Sequence, residues 1–144
     1  MDFKIRNFEY QDLNQVMAIE KASFPDPYNK LWFRLLKFKV GDGFIVAQKE
    51  GIVGYAISEI RNNRGHIISM AVSPECRRAG VGEALLQETI RRLESKVKEV
   101  YLEVRVGNEA AIALYEKFSF KRMGEKRRRY YPDGEDAVVM ARTA

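Results

Sequence analysis

Val72-Ser73-Pro74-Glu75-Cys76-Arg77-Arg78-Ala79-Gly80-Val81-Gly82-Glu83-Ala84-Leu85-Leu86 joins a strand pattern to a helix pattern. His66 to Val72, just before it, reads as a largely buried strand. From Gly82 onward Leu86, Ile90, Leu93 and Val97 fall at steps of four, three and four, the spacing of an amphipathic helix with Arg91, Arg92 and Glu94 outside. A glycine-rich junction entered by two arginines lets backbone N–H groups converge on an anion at the positive end of the helix dipole, so a phosphate or pyrophosphate is the expected guest. The plainer alternative is that Gly80 and Gly82 only ease a tight turn and the arginines are solvated. Neither a P-loop nor a dinucleotide fingerprint fits, because the first lacks its Lys-Ser/Thr pair here and the second its third glycine.

Working outward toward the N-terminus, Met1 to Arg6 alternates apolar and charged residues and predicts a first strand, without the continuous apolar stretch of a signal peptide. Asp12 with Gln15 makes a capping-box-like start for a helix carrying Leu13, Val16 and Met17 on one face, ended by Phe24-Pro25-Asp26-Pro27. A second helix from about Asn29 presents Leu31, Trp32, Leu35 and Leu36 until Gly41-Asp42-Gly43. Phe44 to Gln48, a Lys49-Glu50-Gly51 turn and Ile52 to Ile60 then read as a β-hairpin.

Toward the C-terminus, Tyr101 to Val106 alternates, with Leu102, Val104 and Val106 on one face and Tyr101, Glu103 and Arg105 on the other. Asn108 reads as the N-cap of a helix lined by Ala111, Leu114 and Phe118, and strands at about Lys121 to Tyr130 and Asp136 to Met140 close the chain. The order β-α-α-β-β-β-α-β-α-β-β predicts a mixed α/β (α+β) fold. Its sheet is mainly antiparallel, flanked by about four helices, with one β-α-β crossover near the middle. No linker is rich enough in Pro, Gly or Ser to divide residues 1–144, so a single domain is expected.

The composition sets limits. The 144 residues, 46% of them hydrophobic, suffice for one core and are too few for two ordinary domains. A net charge of +5 favours acidic partners, which include nucleic acid, an anionic membrane or a phosphorylated cofactor. One cysteine, Cys76, excludes an intramolecular disulfide framework and every multi-cysteine metal site, so the cytoplasm is the expected compartment and no metal is expected. No stretch approaches the length of a membrane-spanning helix. The basic run Lys126 to Arg129 covers four residues of a strand and so faces two ways. It reads as a solvated edge suited to acidic substrates or a ribosome, not as a specific nucleic-acid site.

Arg77-x-x-Gly80-x-Gly82 resembles the pyrophosphate loop of the GNAT superfamily of acetyltransferases, and the order of elements is similar over essentially the whole chain. Within that superfamily the stretch Leu102-Glu103-Val104-Arg105-Val106-Gly107-Asn108-Glu109-Ala110-Ala111-Ile112-Ala113-Leu114-Tyr115-Glu116-Lys117-Phe118-Ser119-Phe120 resembles the RimI-type protein N-terminal acetyltransferases, with Ser119 where glycine is usual. The resemblance implies a GNAT fold, acetyl-CoA as cosubstrate, and a protein or peptide N-terminal amine as acceptor. It implies that the backbone of Met70, Ala71 and Val72 aligns the pantetheine arm. Arg77, Arg78, Ala79, Gly80, Val81, Gly82 and Glu83 would hold the phosphates, with Asn108, Tyr115 and Lys117 as further cofactor contacts. Asn108 can equally be a plain helix cap.

Such a transfer needs an acceptor for the ammonium proton and a donor for the departing thiolate, with no covalent intermediate, so Cys76 is not expected to act as a nucleophile. Glu103 is the leading base, as the glutamate of RimI-type enzymes; the rival reading is an outward carboxylate paired with Arg105 or a neighbouring strand. His66, the only histidine, stands where some N-terminal acetyltransferases place a histidine or tyrosine to hold the water that takes the proton, so the resemblance implies that role, which suits a side chain of its type; the rival reading is an ordinary surface residue. Tyr115 matches the family tyrosine beside the thioester sulfur, though its spacing also suits a core position. Phe24, Pro25 and Tyr28 in one loop, and Tyr130 and Tyr131 in another, resemble the loops that grip the peptide; alternatively they cover the sheet edge. A small-molecule amine acetyltransferase and a non-catalytic CoA-binding module are the competing functions.

Overall fold

The computed structural model describes residues 2–77 and 79–143, with the backbone alone at position 125. The expected order of elements is found: β1 (Lys4–Asn7), α1 (Leu13–Ser23), α2 (Lys30–Val40), β2 (Phe44–Gln48), β3 (Ile52–Arg61), β4 (Arg64–Val72), α3 (Val81–Glu94), β5 (Glu99–Arg105), α4 (Glu109–Lys117), β6 (Lys121–Arg127) and β7 (Ala137–Thr143). The seven strands form one sheet in the order β1-β2-β3-β4-β5-β7-β6, antiparallel except where β4 meets β5. That parallel pair is the crossover through α3, which packs on β3 and β4. β6 stops at Arg127, short of Tyr130, and β7 runs three residues past Met140.

The alternation of each strand divides the core into two faces. Ile67, Leu102, Val104, Val138 and Met140 point to α3 and α4, meeting Leu86, Ile90, Leu93, Ile112 and Tyr115. Phe44, Val46, Tyr55 and Ile57 point the other way, to Leu13, Val16 and Ile19 of α1 and Phe33 and Leu36 of α2. Glycine at 54 permits a close approach of α3 to β3, since a Cβ there would lie 2.9 Å from Leu85 Cδ1 and 3.1 Å from Val81 Cγ1. Asn62 and Asn63, both at positive φ, turn β3 into β4 with the backbone that two-residue hairpins favour.

Several local expectations are corrected. Asp12 and Gln15 form no capping box. The Asp12 carboxylate turns back to accept from Glu9 N at 2.9 Å and from Arg6 at 2.8 and 2.9 Å, while Gln15 Oε1 accepts from Ile52 N at 2.8 Å. An arginine and a backbone donor upstream thus compete successfully for the cap. α2 begins at its Asn29 cap, whose Oδ1 accepts from Trp32 N at 2.8 Å, but its buried residues are Phe33 and Leu36. Leu31 and Leu35 are 63% and 61% exposed. The cause is the aromatic cluster of Phe33 with Phe44 and Tyr55, at centroid separations of 6.2 and 6.1 Å, which sets the helix rotation. In α4 the fully buried residues are Ile112 and Tyr115, while Ala111, Leu114 and Phe118 are only partly covered. Val106 lies past the end of β5 and is exposed. Ser119 has φ 71°, the left-handed conformation in which glycine is at ease and serine is strained.

Candidate active site

β4 and β5 are paired only from Gly65–Ile67 to Val100–Leu102, and both strands run on beyond that point. The divergence coincides with a bulge in β4. Ile57 of β3 lies opposite Ser69 and Ser58 opposite Ile67, which leaves Ile68 unmatched. A bulge re-aims the strand that carries it. The gap between the splayed strands opens into a cavity of about 110 Å³ walled by Ile67, Ser69, Met70, Glu103, Asn108 and Tyr115. Next to it lies a groove of about 900 Å³ that reaches the N-terminus of α3 and shares Phe24, Met70, Arg105, Asn108, Ala111 and Tyr115 with the cavity.

Most of the residues expected at a cofactor line this groove: Met70, Ala71, Val72, Arg77, Gly80, Gly82, Glu83, Asn108 and Tyr115. α3 starts from Gly80 in the left-handed conformation (φ 83°), and Gly80, Gly82 and Glu83 at its start line the groove end. Arg77 is exposed and folds back to Val72 O at 3.2 Å and Ser23 Oγ at 3.3 Å. Val81 is buried in the core, Ala79 is an exposed turn residue, and Arg78 lies outside the described residues. Lys117 pairs with Glu83 at 2.6 Å, so these two expected contacts meet each other at the surface. Asn108 caps α4, its Oδ1 accepting from Ala111 N at 3.2 Å, and also lines both cavities. A helix N-terminus at one end and a β4 edge not paired to β5 along the other fit a long phosphorylated thioester with amide groups in its arm.

At the inner end, Glu103 and Tyr115 line the same cavity. Burial pushes the Tyr115 phenol up to about 12. Glu103 is held by His66 Nε2 at 2.7 Å and by Arg127 Nε at 3.6 Å, not by Arg105. His66 stands behind Glu103, stacked on Tyr101 at 4.5 Å, and reaches the cavity through that carboxylate.

Two loops flank the opening. Phe24, Tyr28 and Tyr131 line the small cavity, Pro25 lines the groove, and Tyr130, 47% exposed, packs edge-on against Tyr131 at 5.0 Å. Tyr28 stacks on Trp32 at 3.6 Å. Motif reading does not single out the residue that fastens the loops together, Arg105. Its guanidinium binds Asp26 of the first loop, and Asp133 and Glu135 of the second at 2.9 and 3.0 Å, and lies 4.1 Å over the Tyr131 ring. Nor does it single out Glu20, buried against the cavity, which accepts from the Tyr55 hydroxyl and from Tyr28 N at 3.1 Å. Burial pushes the Glu20 carboxyl up, against these donors. The signal for Glu20 is its step: it follows Leu13, Val16 and Met17 at helical spacing, a carboxylate on an apolar stripe.

The profile of the Acetyltransferase (GNAT) family matches residues 13–120. The chain belongs to this family. Among relatives of this acetyltransferase, an N-alpha-acetyltransferase of Sulfurisphaera tokodaii is 36% identical over 155 residues, covering 97% of this chain and 92% of its own. The [Ribosomal protein bS18]-alanine N-acetyltransferase of Escherichia coli is 36% identical over 141 residues, covering 95% of each. Among solved structures, Ard1 from Thermoplasma volcanium superposes with a TM-score of 0.96 at 27% identity, over 100% of this acetyltransferase and 99% of that chain. Among the described residues no helix is long and apolar enough to cross a membrane.

Proposed function

We propose that residues 1–144 act as one catalytic domain that transfers acetyl directly from acetyl-CoA to the N-terminal α-amine of a protein or peptide. The observation that carries this reading is the pairing of Glu103 and Tyr115 in one cavity at the β4–β5 divergence, beneath two aromatic loops. Bound acetyl-CoA supplies the thioester carbonyl that the amine attacks. The chain's own share is orientation and proton handling. The α3 N-terminus takes the phosphates, and the β4 edge at Met70 to Val72 aligns the arm beside Tyr115. Glu103 accepts a proton from the acceptor ammonium, leaving the electron pair on nitrogen, and the Tyr115 hydroxyl donates to the departing sulfur. Tyrosines 28, 130 and 131 offer hydroxyls that bond a peptide backbone without reading its side chains, which suits chain termini, ribosome-borne ones included. The single cysteine makes the cytoplasm the working compartment.

The test is acetyl transfer from acetyl-CoA to a peptide panel varied at its first two residues, with spermidine and free amino acids alongside and mass spectrometry locating the group. Acetylated peptide α-amines are expected. Modification of small amines alone would replace the reading with a small-molecule enzyme, and CoA binding without any transfer would replace it with a binding module.

A further inference from the structure

Behind the cavity wall Glu103 is the first of three side chains in a row. Glu59 of β3 is the register partner of His66 of β4, and His66 that of Tyr101 of β5, so Glu59, His66 and Glu103 share one face of adjacent strands. His66 Nε2 lies 2.7 Å from Glu103 Oε1, and Nδ1 lies 3.3 Å from Glu59 Oε2. All three side chains are about nine-tenths covered, at 11%, 10% and 9% exposure. Past Glu59 the row ends at Lys39 Nζ, 3.1 Å away and 67% exposed. The row thus leads from the cavity to solvent.

A neutral imidazole has one N–H and one lone pair, so it cannot donate to both carboxylates at once. We propose that Glu59 is a positioning residue: by accepting the Nδ1–H it turns the Nε2 lone pair toward Glu103, so that the proton Glu103 takes is held across their 2.7 Å contact and passed on to the ring. The inference rests on Glu103 being the base of the proposed reaction. In balance, an ammonium N–H bond breaks, its electron pair stays on the amine, and the proton comes to Nε2. The result is an imidazolium between two carboxylates and a regenerated Glu103, and loss of the same Nε2 proton back through Glu103 to water in the opened cavity, with the Nδ1–H still on Glu59, resets the row.

The charged and titratable groups around the row are Lys39 on α2, Arg64 on β4 above the Tyr101 ring, Tyr101 itself, and Arg127 on β6 beside Glu103. The Tyr28 and Tyr130 phenols also face it: burial raises both, and the Glu103 charge adds to that. Burial works to raise the Glu59 carboxyl, but Lys39 and His66 outweigh it and hold the group below its usual range, ionised and ready to accept.

His66 is the only histidine, so the untagged full chain gives a single imidazole spin system in 15N-histidine NMR. In the neutral ring the proton is expected on Nδ1, and in Glu59→Gln, whose amide can donate to Nδ1, it moves to Nε2. The same variant is expected to lose on the order of 10²-fold in kcat, with KM for acetyl-CoA within about twofold. The acid limb of its kcat/KM profile shifts to lower pH, because one anion beside the ring is gone. Lys39→Ala, at an exposed position, shifts that limb to higher pH. Opposite shifts are a signature that a merely structural role does not produce. A neutral wild-type ring protonated at Nε2, or an acid limb that neither variant moves, would overturn the proposal. The tautomer is read without turnover, so its failure is separable from failure of the acetylation reading.

Discussion

Tyr115 packs edge-on against Phe120 at 5.7 Å while its other surroundings form the wall that also carries Glu103. Burial lifts the phenol to about 12, so it remains a protonated donor throughout any practical assay range. Tyr115→Phe keeps the packing and removes the donor. The expected result is a fall in kcat on the order of 10²-fold, with KM for acetyl-CoA and the melting temperature little changed. Below about pH 10 the wild-type rate should show no alkaline loss traceable to this phenol. A variant with wild-type kcat would leave Tyr115 as a core residue only. Such a residue is legible in the sequence because it sits inside a dense local motif. Glu59 and Glu20 are less so: each is one carboxylate continuing an apolar face, of β3 after Tyr55 and Ile57 and of α1 after Val16, and only the partner strands show what it meets.

At the scale of elements, punctuation is easier to read than rotation. Asn29 and Gly41 bound α2 where the sequence puts them, because capping is decided within a few residues. Its phase is not decided locally. Leu31, Trp32, Phe33, Leu35, Leu36, Phe38 and Val40 are apolar on nearly all sides, and the strands beneath choose among them. They choose Phe33, fully buried, and leave Phe38 87% exposed. Two substitutions of the same chemistry should therefore differ sharply in chemical denaturation. Phe33→Ala is expected to cost about 3–5 kcal/mol through lost burial and a cavity, and Phe38→Ala no more than about 0.5 kcal/mol. Equal costs would show that α2 is rotated from the arrangement described. The clamp of Arg105 on Asp26, Asp133 and Glu135 is illegible for the same reason, since it joins loops that only the folded sheet brings together.

For the whole molecule, the strand order follows from the pattern because short connections and one crossover leave few alternatives, whereas the splay of β4 from β5 depends on the unmatched Ile68, which no periodicity marks. Charge adds a global consequence: stability should fall in acid. Arg91 and Arg92, bonded to Glu88 at 2.6 and 2.7 Å, hold its carboxyl at about 2 against an ordinary 4.5. A depressed folded value contributes stability that is present above the unfolded value and lost as pH falls through the folded one, here between about 4.5 and about 2. Asp12, drawn down by Arg6 and the Glu9 amide against its burial, acts in the same direction. Glu20 opposes them: its raised carboxyl contributes most when protonated, and that contribution fades as pH rises. The depressed carboxyls, Glu59 among them, oppose the raised Glu20 and outnumber it, giving a melting temperature that declines on acidification below about pH 4.5. Glu88→Gln removes the largest depressed group and should start from a lower plateau near pH 7 with a flatter decline. Melts from pH 2 to 7 on both proteins compare the two slopes. If they are parallel, the Glu88 pair persists in the unfolded chain or contributes nothing to the folded one.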